Sequence, residues 1–162
     1  MNQRTKFIET ALKELGTKEN PPNSNKVKYN NNNGQFWCGY FVMWVAKQIN
    51  LRIPNCIYTP AGVKGFQGKG LWSNAETAKP LKGGEIVFFD FPKGEKIDHV
   101  GIVVKDNLDG TVTTVEGNTS EAGSQSNGGE VCLKIRAYKK NNKKKLPVFI
   151  AGFGYPKFKE NA

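Results

Sequence analysis

Two side chains in this sequence have the chemistry of a nucleophile and its base. Cys38 stands at the start of an apolar segment, residues 37–50, and His99, the one histidine of the chain, opens the apolar stretch HVGIVV. A thiol at a helix N-terminus lies near the positive end of the helix dipole, which favours the thiolate, and a nearby imidazole accepts the thiol proton. Either residue alone is more often structural. Together they predict Cys38 as nucleophile and His99 as its general base.

A hairpin predicts which residues lie beside His99. Asp109-Gly110 is a strong turn signal between two β-rich segments. A turn centred on residues 106–110 sets Lys105 opposite Thr111. The same register carried along both strands sets His99 opposite Gly117.

Glu116 and Asn118 are therefore candidates for the group that orients the imidazole. A register shift of one residue brings His99 opposite one or the other, and directly opposed side chains are ~5 Å apart. Both residues share a strand face because side chains repeat every two residues. A base that activates a nucleophile needs such a partner on its second ring nitrogen. A polar strand end with no catalytic role is the alternative interpretation.

Gln35 is a candidate for stabilising a negatively charged intermediate. It lies three residues before Cys38. Its side-chain amide and the backbone N–H of Cys38 would form an oxyanion hole for the tetrahedral intermediate of acyl transfer. The alternative is a solvated loop residue.

The N-terminal half predicts the elements that carry the nucleophile. Residues 2–15 have the apolar spacing of an amphipathic helix, with Gly16 where a helix C-terminus favours glycine. Residues 18–35 are polar and predict a loop. Residues 37–50 are apolar on nearly every side and predict a buried helix that begins near Cys38. Residues 55–84 are rich in glycine and proline and predict a long, irregular connection.

The C-terminal half predicts a sheet. Five β-rich segments follow Glu85, at residues 85–91, 99–105, 111–118, 131–138 and 148–155. Helices followed by consecutive strands indicate an α+β fold, with N-terminal helices packed on an antiparallel sheet of about five to six strands.

Length and charge limit the classes of protein. The 162 residues fit one domain. Lys and Arg number 24 against 14 Asp and Glu, a formal charge of +10, which attracts polyanions such as nucleic acid, an anionic membrane or an anionic cell wall. The three cysteines have no close pairs, which is unlike a secreted disulfide framework.

The chain also lacks the usual targeting patterns. No apolar run approaches the ~20 residues that span a bilayer, and the N-terminus lacks the apolar core of a signal peptide. We therefore expect synthesis in a reducing cytoplasm, where a free thiol survives. Action on an external target then requires release.

The segment GQFWCGYFVMW, beginning at Gly34, resembles the cysteine motif of CHAP domains, the cysteine, histidine-dependent amidohydrolase/peptidase family. DHVGIVV resembles the histidine strand of that family, and VEGN, ending at Asn118, resembles its third motif. The resemblance covers residues 34–118 in the right order. It implies a papain-like α+β fold, one catalytic domain over residues 1–162, and cleavage of peptidoglycan amide bonds, as in phage endolysins and bacterial autolysins.

Some features depart from the family pattern. Gly39 stands where a small residue such as alanine is common, which we expect to be harmless. Some members carry an Asp-rich calcium loop before the cysteine, but this chain has no acidic residue between Glu19 and Cys38. Calcium sites usually include carboxylates. We therefore expect no tight calcium site, no other metal, no cofactor and no separate wall-binding domain.

Several further residues have both a functional and a structural interpretation. Cys56 and Cys132 could form a zinc site with Cys38 and His99, but these residues lack the paired spacing that is usual in zinc sites. We therefore expect Cys56 and Cys132 to be incidental thiols. The Lys/Asn tract at residues 139–145 predicts a solvated turn, or a contact for wall phosphates. Three aromatic residues are candidates for lining a substrate groove, although aromatics are more often core: Trp37, Trp72 and Tyr155.

The combined prediction is a monomeric amidase or endopeptidase acting on peptidoglycan, with anionic wall polymers bound by the basic surface and no nucleic acid partner. A basic, non-enzymatic domain that binds nucleic acid or wall polymer is the alternative. It explains the charge, but it does not explain why Cys38 starts a buried helix or why Glu116 and Asn118 lie across a hairpin from the one histidine. A third interpretation keeps the catalytic fold and gives it a different amide substrate.

Overall fold

A computed structural model describes residues 1–94, 96–121 and 127–159. Its helices are α1 (Gln3–Leu12), α2 (Cys38–Gln48) and α3 (Thr59–Gly68), with a short 3-10 turn at Lys28–Asn30. Its strands are β1 (Trp72–Asn74), β2 (Ile86–Phe89), β3 (His99–Asp106), β4 (Thr111–Thr119), β5 (Glu130–Ala137) and β6 (Ile150–Gly154). No helix in these described ranges is long and apolar enough to cross a bilayer.

The six strands form one antiparallel sheet in the order β1-β6-β2-β3-β4-β5. Strands β2 to β5 follow one another as neighbours, whereas β6 returns to pair with the other side of β2. This arrangement confirms the α+β prediction and the predicted strand number. It also buries β3 and β4 inside the sheet, where the histidine and acidic motifs lie.

Apolar clusters cover both faces of the sheet. Ile102 and Val115 belong to the cluster that includes the buried faces of α1 and α2, while Val103 and Val112 belong to a second cluster. Helix α2 packs on β3 and β4, and the ring of Phe41 lies over Gly117, where an added Cβ would be 2.8 Å from its side chain. The N-terminus of α2 is thereby fixed beside the polar motifs of β3 and β4.

The predicted irregular connection at residues 55–84 is wrong in part, because it contains α3 and β1. Helix α3 has glycine at three of its ten positions, which gives it a low helix propensity. Close packing explains two of these glycines: a Cβ at Gly62 would lie 3.1 Å from Phe88, and one at Gly65 would lie 2.6 Å from Pro54. Tertiary contact therefore outweighs local propensity in this segment.

The predicted hairpin register is also wrong. Lys105 pairs with Thr113 rather than Thr111, and Ile102 pairs with Val115 after an irregularity between Val103 and Lys105. A tighter turn accounts for the displacement: Asp106 pairs with Val112 and the N–H of Asn107 donates to the carbonyl of Thr111, with Leu108 and Gly110 both at positive φ.

Candidate active site

Cys38 is the first residue of α2, as predicted, and only 6% of its surface is exposed. Within the described residues the N-cap Trp37 makes no side-chain capping hydrogen bond. The first N–H groups of α2 are therefore left without that acceptor, and the positive end of the helix dipole is directed at Cys38. This environment favours the binding of a developing negative charge.

Gly39 permits a close contact behind the nucleophile. A Cβ at this position would lie 2.1 Å from the carbonyl oxygen of Cys56. A side chain at this position would clash with the backbone that precedes α3, so glycine is required here in place of the commoner alanine. The departure from the family pattern has a local structural cause.

His99 opens β3 and is completely buried. Its Nε2 lies 2.8 Å from Oε1 of Glu116, which is also completely buried. Burial by itself lowers the pKa of His99, but hydrogen bonding and charge interactions with Cys38 and Glu116 outweigh it and raise this pKa from 6.5 to about 9. The imidazole is therefore strongly basic and coupled to both the thiol and the carboxylate.

The tautomer follows from the partners. An ionised carboxylate only accepts hydrogen bonds, so Nε2 of His99 must donate its proton to Glu116. Nδ1 is buried and lies close enough to Cys38 to interact with it, although no described residue makes a hydrogen bond of standard geometry with this nitrogen. It is consequently the nitrogen that remains to take the proton of Cys38.

Gly101 explains how Glu116 reaches His99. A Cβ at Gly101 would lie 2.7 Å from Cγ of Glu116. The missing side chain therefore leaves space on β3 through which the carboxylate crosses to His99. This is a close approach that only glycine allows.

Glu116 is held on its other side by β5. Arg136 contacts both carboxylate oxygens, with Nη2 2.6 Å from Oε1 and Nε 2.9 Å from Oε2, and Oγ1 of Thr114 donates to Oε2 at 2.5 Å. Burial by itself raises the pKa of Glu116, but the hydrogen bonds and charges of Arg136 and His99 outweigh it and lower this pKa to about 2. The carboxylate is ionised at neutral pH.

The sequence analysis did not identify Arg136. The strand pattern could have identified it. Arg136 lies four residues after Cys132 and so on the same face of β5, and Cys132 pairs with Glu116. A cation on that face, four residues along from the partner of a buried acid, is a candidate ion-pair partner.

Asn118 lies two residues beyond Glu116 in a different environment. It is completely buried at φ 55°, where the pairing of β4 with β5 shifts register. Neither polar atom of its side chain has a hydrogen-bond partner among the described residues. Among the described residues, the structure thus hydrogen-bonds Glu116, and not Asn118, to His99.

Gln35 lies on the exposed loop before α2. Its Oε1 accepts a hydrogen bond from Tyr40 at 2.9 Å, and its backbone carbonyl accepts one from Asn30, also at 2.9 Å. These contacts fix the loop and leave the side-chain N–H groups as donors. Its role in an oxyanion hole stays a prediction.

A cleft opens at Cys38, with walls from four connecting segments: those before α2 and α3, the one between β2 and β3, and the one between β4 and β5. Phe36 and Tyr58 are each 65% exposed, and Ile57 is 40% exposed. The same cleft is also lined by the polar residues Thr59, Asp98 and Asn127. The described lining comprises Phe36, Cys38, Ile57, Tyr58, Thr59, Pro60, Gly94, Ile97, Asp98 and Asn127.

The three aromatic residues predicted to line a groove lie elsewhere. Trp37 is completely buried and donates from Nε1 to Glu19. Trp72 lies on β1 against Phe88, and the Tyr155 hydroxyl is 2.5 Å from that of Ser73. None of the three is among the described residues that line the Cys38 cleft. Trp37 is a core residue in this structure.

The other two cysteines are free thiols. Burial raises the pKa of Cys56 to about 12, with a further contribution from the charge of Cys38, and Sγ of Cys56 donates to the carbonyl of Pro54. Cys132 is buried on β5. Across residues 1–94, 96–121 and 127–159, no three His, Cys, Asp or Glu side chains form a group that could hold a metal ion.

Comparisons with known proteins agree with this arrangement. A family model described as CHAP domain matches residues 29–118, which include Cys38, His99, Glu116 and Asn118. The fold is similar to the structure titled "The crystal structure of Ly7917", with a TM-score of 0.55 and 14% sequence identity over 95% of this chain and 62% of that one. The chain thus spans less than two thirds of the length of that protein. No curated protein sequence matches the chain.

Proposed function

The chain belongs to the CHAP domain family, whose members are amidase- or peptidase-type hydrolases, and from this premise we propose that it cleaves amide bonds of bacterial peptidoglycan through a Cys38 thioester. One observation carries the cysteine mechanism. Cys38 lies at the N-terminus of α2 and interacts with His99, whose second nitrogen is held 2.8 Å from the buried carboxylate of Glu116.

Acylation begins with the proton transfer from Cys38 to Nδ1 of His99. The thiolate sulfur attacks the amide carbonyl carbon, and the electron pair of the C=O bond moves to oxygen. The N–H of Cys38 and the side chain of Gln35 stabilise this oxyanion. As the C–N bond breaks, the imidazolium gives its proton to the leaving amine, and a thioester remains.

Deacylation uses the same base. His99 removes a proton from water, and the hydroxide attacks the thioester carbonyl. The C–S bond breaks, the carboxylic acid leaves, and the thiolate–imidazolium pair is restored. Glu116 stabilises the imidazolium in both halves of the cycle because its negative charge favours the protonated ring.

The cleft supports a substrate with apolar faces beside its amide bond. Phe36 and Tyr58 are large and exposed at the mouth of the site, and aromatic rings pack against the apolar faces of sugars and side chains. Such walls suit either the muramoyl–alanine bond or a bond within the stem peptide. The reaction is accordingly that of an amidase or of an endopeptidase.

The basic surface supports attraction to the wall. Four lysines of the turn between β5 and β6 are exposed: Lys140, Lys143, Lys144 and Lys145. We propose that this surface binds anionic wall polymers. The proposal extends to a monomeric protein with one catalytic domain over residues 1–162, made in the cytoplasm and active on the wall after release, as endolysins and autolysins are.

The alternative, a non-enzymatic basic domain for nucleic acid or wall polymer, accounts for the charge alone. It leaves the coupled Cys38, His99 and Glu116 without a use. A different amide substrate would retain the same site and chemistry. Neither alternative is favoured by a particular contact in the structure.

The test is digestion of purified peptidoglycan with mass spectrometry of the released fragments. New N-termini on alanine identify an amidase, and new termini within the stem or cross-bridge identify an endopeptidase. Intact peptidoglycan after incubation with folded protein, together with a gel shift of nucleic acid, would replace the proposal with the binding alternative. Release of an acyl group from another amide alone would support a different substrate.

A further inference from the structure

We propose that Arg136 is a positioning residue of this active site: its guanidinium fixes the Glu116 carboxylate toward His99 and keeps it ionised across the working pH range. The inference rests on the proposed cysteine mechanism. It assigns a role to a residue on β5 that lies outside the span of the family match, residues 29–118.

Hydrogen-bond donors surround both carboxylate oxygens of Glu116 and leave no position for a proton on either oxygen. Oε1 is shared by Nε2 of His99 and Nη2 of Arg136, and Oε2 is shared by Nε of Arg136 and the hydroxyl of Thr114. Four donors converge on two oxygens, and only an ionised carboxylate accepts them all. Arg136 supplies two of the four and therefore defines the plane of the carboxylate.

Arg136 is itself held in place. Its guanidinium carbon lies 5.1 Å from the ring centroid of Phe89 and 5.5 Å from that of Phe91, and its side chain is 11% exposed. A flat cation on aromatic rings with a two-point contact to a carboxylate suits arginine and not lysine. His99 also packs on these two rings, at 5.2 and 5.9 Å. One aromatic surface thus aligns the base and the cation that holds its partner.

The charges around Glu116 define the expected effect. His99 on β3 and Arg136 on β5 contact it, Cys132 on β5 pairs opposite it, and Cys38 on α2 interacts with His99. Arg136 is the permanent cation in direct contact. Its removal takes one positive charge from a buried cluster, so every proton of the cluster is held more tightly.

The experiment measures the rate at which iodoacetamide alkylates Cys38 as a function of pH, because this reaction needs no peptidoglycan. Arg136→Met should move both limbs of the profile to higher pH, the acidic limb by about one pH unit or more. Arg136→Lys keeps the positive charge but loses the two-point guanidinium contact with Glu116. It should leave the limbs in place and lower peptidoglycan turnover about tenfold, with KM unchanged.

Two controls separate positioning from general structure. Lys134→Met removes the same charge two residues away on the same strand, where Lys134 donates to the carbonyl of Ser120, and should not move the limbs. In a Glu116→Gln background Arg136→Met should add little to the loss of turnover, since Arg136 acts through Glu116. The double variant also leaves no unpaired buried charge, so it carries the test if Arg136→Met alone does not fold.

The imidazole supplies a direct readout, because His99 is the one histidine of the chain. Its nitrogen resonances should show Nε2 protonated in the wild type and in Arg136→Lys, and the titration of the ring should move upward in Arg136→Met. A folded Arg136→Met with a wild-type alkylation profile, or additive losses in the double variant, would overturn the proposal. If the limbs of the Arg136→Met alkylation profile shift but the wild-type protein leaves peptidoglycan intact, the positioning role of Arg136 stands and the proposed substrate is rejected.

Discussion

The two sides of the catalytic centre are built differently. On one side, neighbouring strands carry His99, Glu116 and Arg136, which are nearly or completely buried and joined by hydrogen bonds of 2.6–2.9 Å. On the other side, loops carry exposed residues such as Phe36 and Tyr58 around the mouth of the cleft. In the proposed mechanism, the sheet therefore fixes the proton-transferring groups, whereas the loops would set which substrate is bound.

Strand β4 contains the same contrast on a smaller scale. Glu116 has hydrogen bonds on both oxygens, whereas Asn118, two residues on, has none on either polar atom among the described residues. The register shift between Glu116 and Thr119 separates the two environments. The structure therefore gives these two candidate partners of His99 unequal roles, and substitution can test that inequality.

The largest effect is expected at the nucleophile. Cys38→Ser should abolish lysis and retain the fold, because the hydroxyl is far less acidic than the thiol and nearly the same size. Turbidity clearing and circular dichroism measure the two properties. Cys132→Ser changes a buried thiol on β5 and should remain active. Clearing by folded Cys38→Ser would remove Cys38 from the mechanism.

Glu116→Gln should cause the next largest loss, on the order of 10²–10⁴ in turnover, as for loss of the carboxylate in other triads. Loss of a negative charge makes nearby protons easier to remove, so both limbs of the pH–rate profile should move to lower pH. In the wild type, activity should fall as the pH rises through about 9, where His99 loses its proton. A profile with unmoved limbs would contradict the role of the Glu116 charge.

Asn118→Ala should cost less turnover than Glu116→Gln and leave both limbs of the pH–rate profile nearly in place, because the amide carries no charge and makes no hydrogen bond to His99. Alanine at φ 55° should lower the free energy of unfolding by roughly 1–2 kcal/mol. Asn118→Gly is the matched control for that backbone effect. If Asn118→Ala is the more damaging change and Glu116→Gln is near wild type, the site is of the Cys-His-Asn kind.

The cleft wall should affect binding more than chemistry. Tyr58→Ala and Phe36→Ala should each raise KM about 5- to 30-fold with kcat and the pH limbs little changed, since each removes about 1–2 kcal/mol of apolar contact. Leu133→Ala, which changes an exposed apolar residue on β5 outside the described cleft lining, is the control. Equal KM values in all three variants would place the substrate elsewhere.

The smallest effect is expected from salt. Added salt shortens the Debye length from ~8 Å at physiological ionic strength and screens attraction between the basic surface and an anionic wall. The lytic rate on whole cells should fall, while cleavage of a small soluble muropeptide should change much less. Equal salt sensitivity on both substrates would show that the charge of +10 does not attract the protein to the wall.

The sequence alone predicted the elements whose pattern is local. The apolar segment at residues 37–50 indicated a buried helix beginning at Cys38, and the β-rich segments indicated the strands that carry His99 and Glu116, as the structure has them. These predictions succeed because helix and strand periodicity depends on residues a few positions apart. The cysteine and histidine motifs were recognisable for the same reason.

Only the tertiary structure decided how the site is assembled. The choice of Glu116 over Asn118 depends on the register shift between β4 and β5 after Glu116 and on the space left by Gly101. Arg136 reaches Glu116 across 20 residues of sequence, and the cleft wall comes from the segment around α3 that local propensity did not predict. Such contacts depend on strand pairing and close packing between distant segments, and side-chain periodicity contains no information about either.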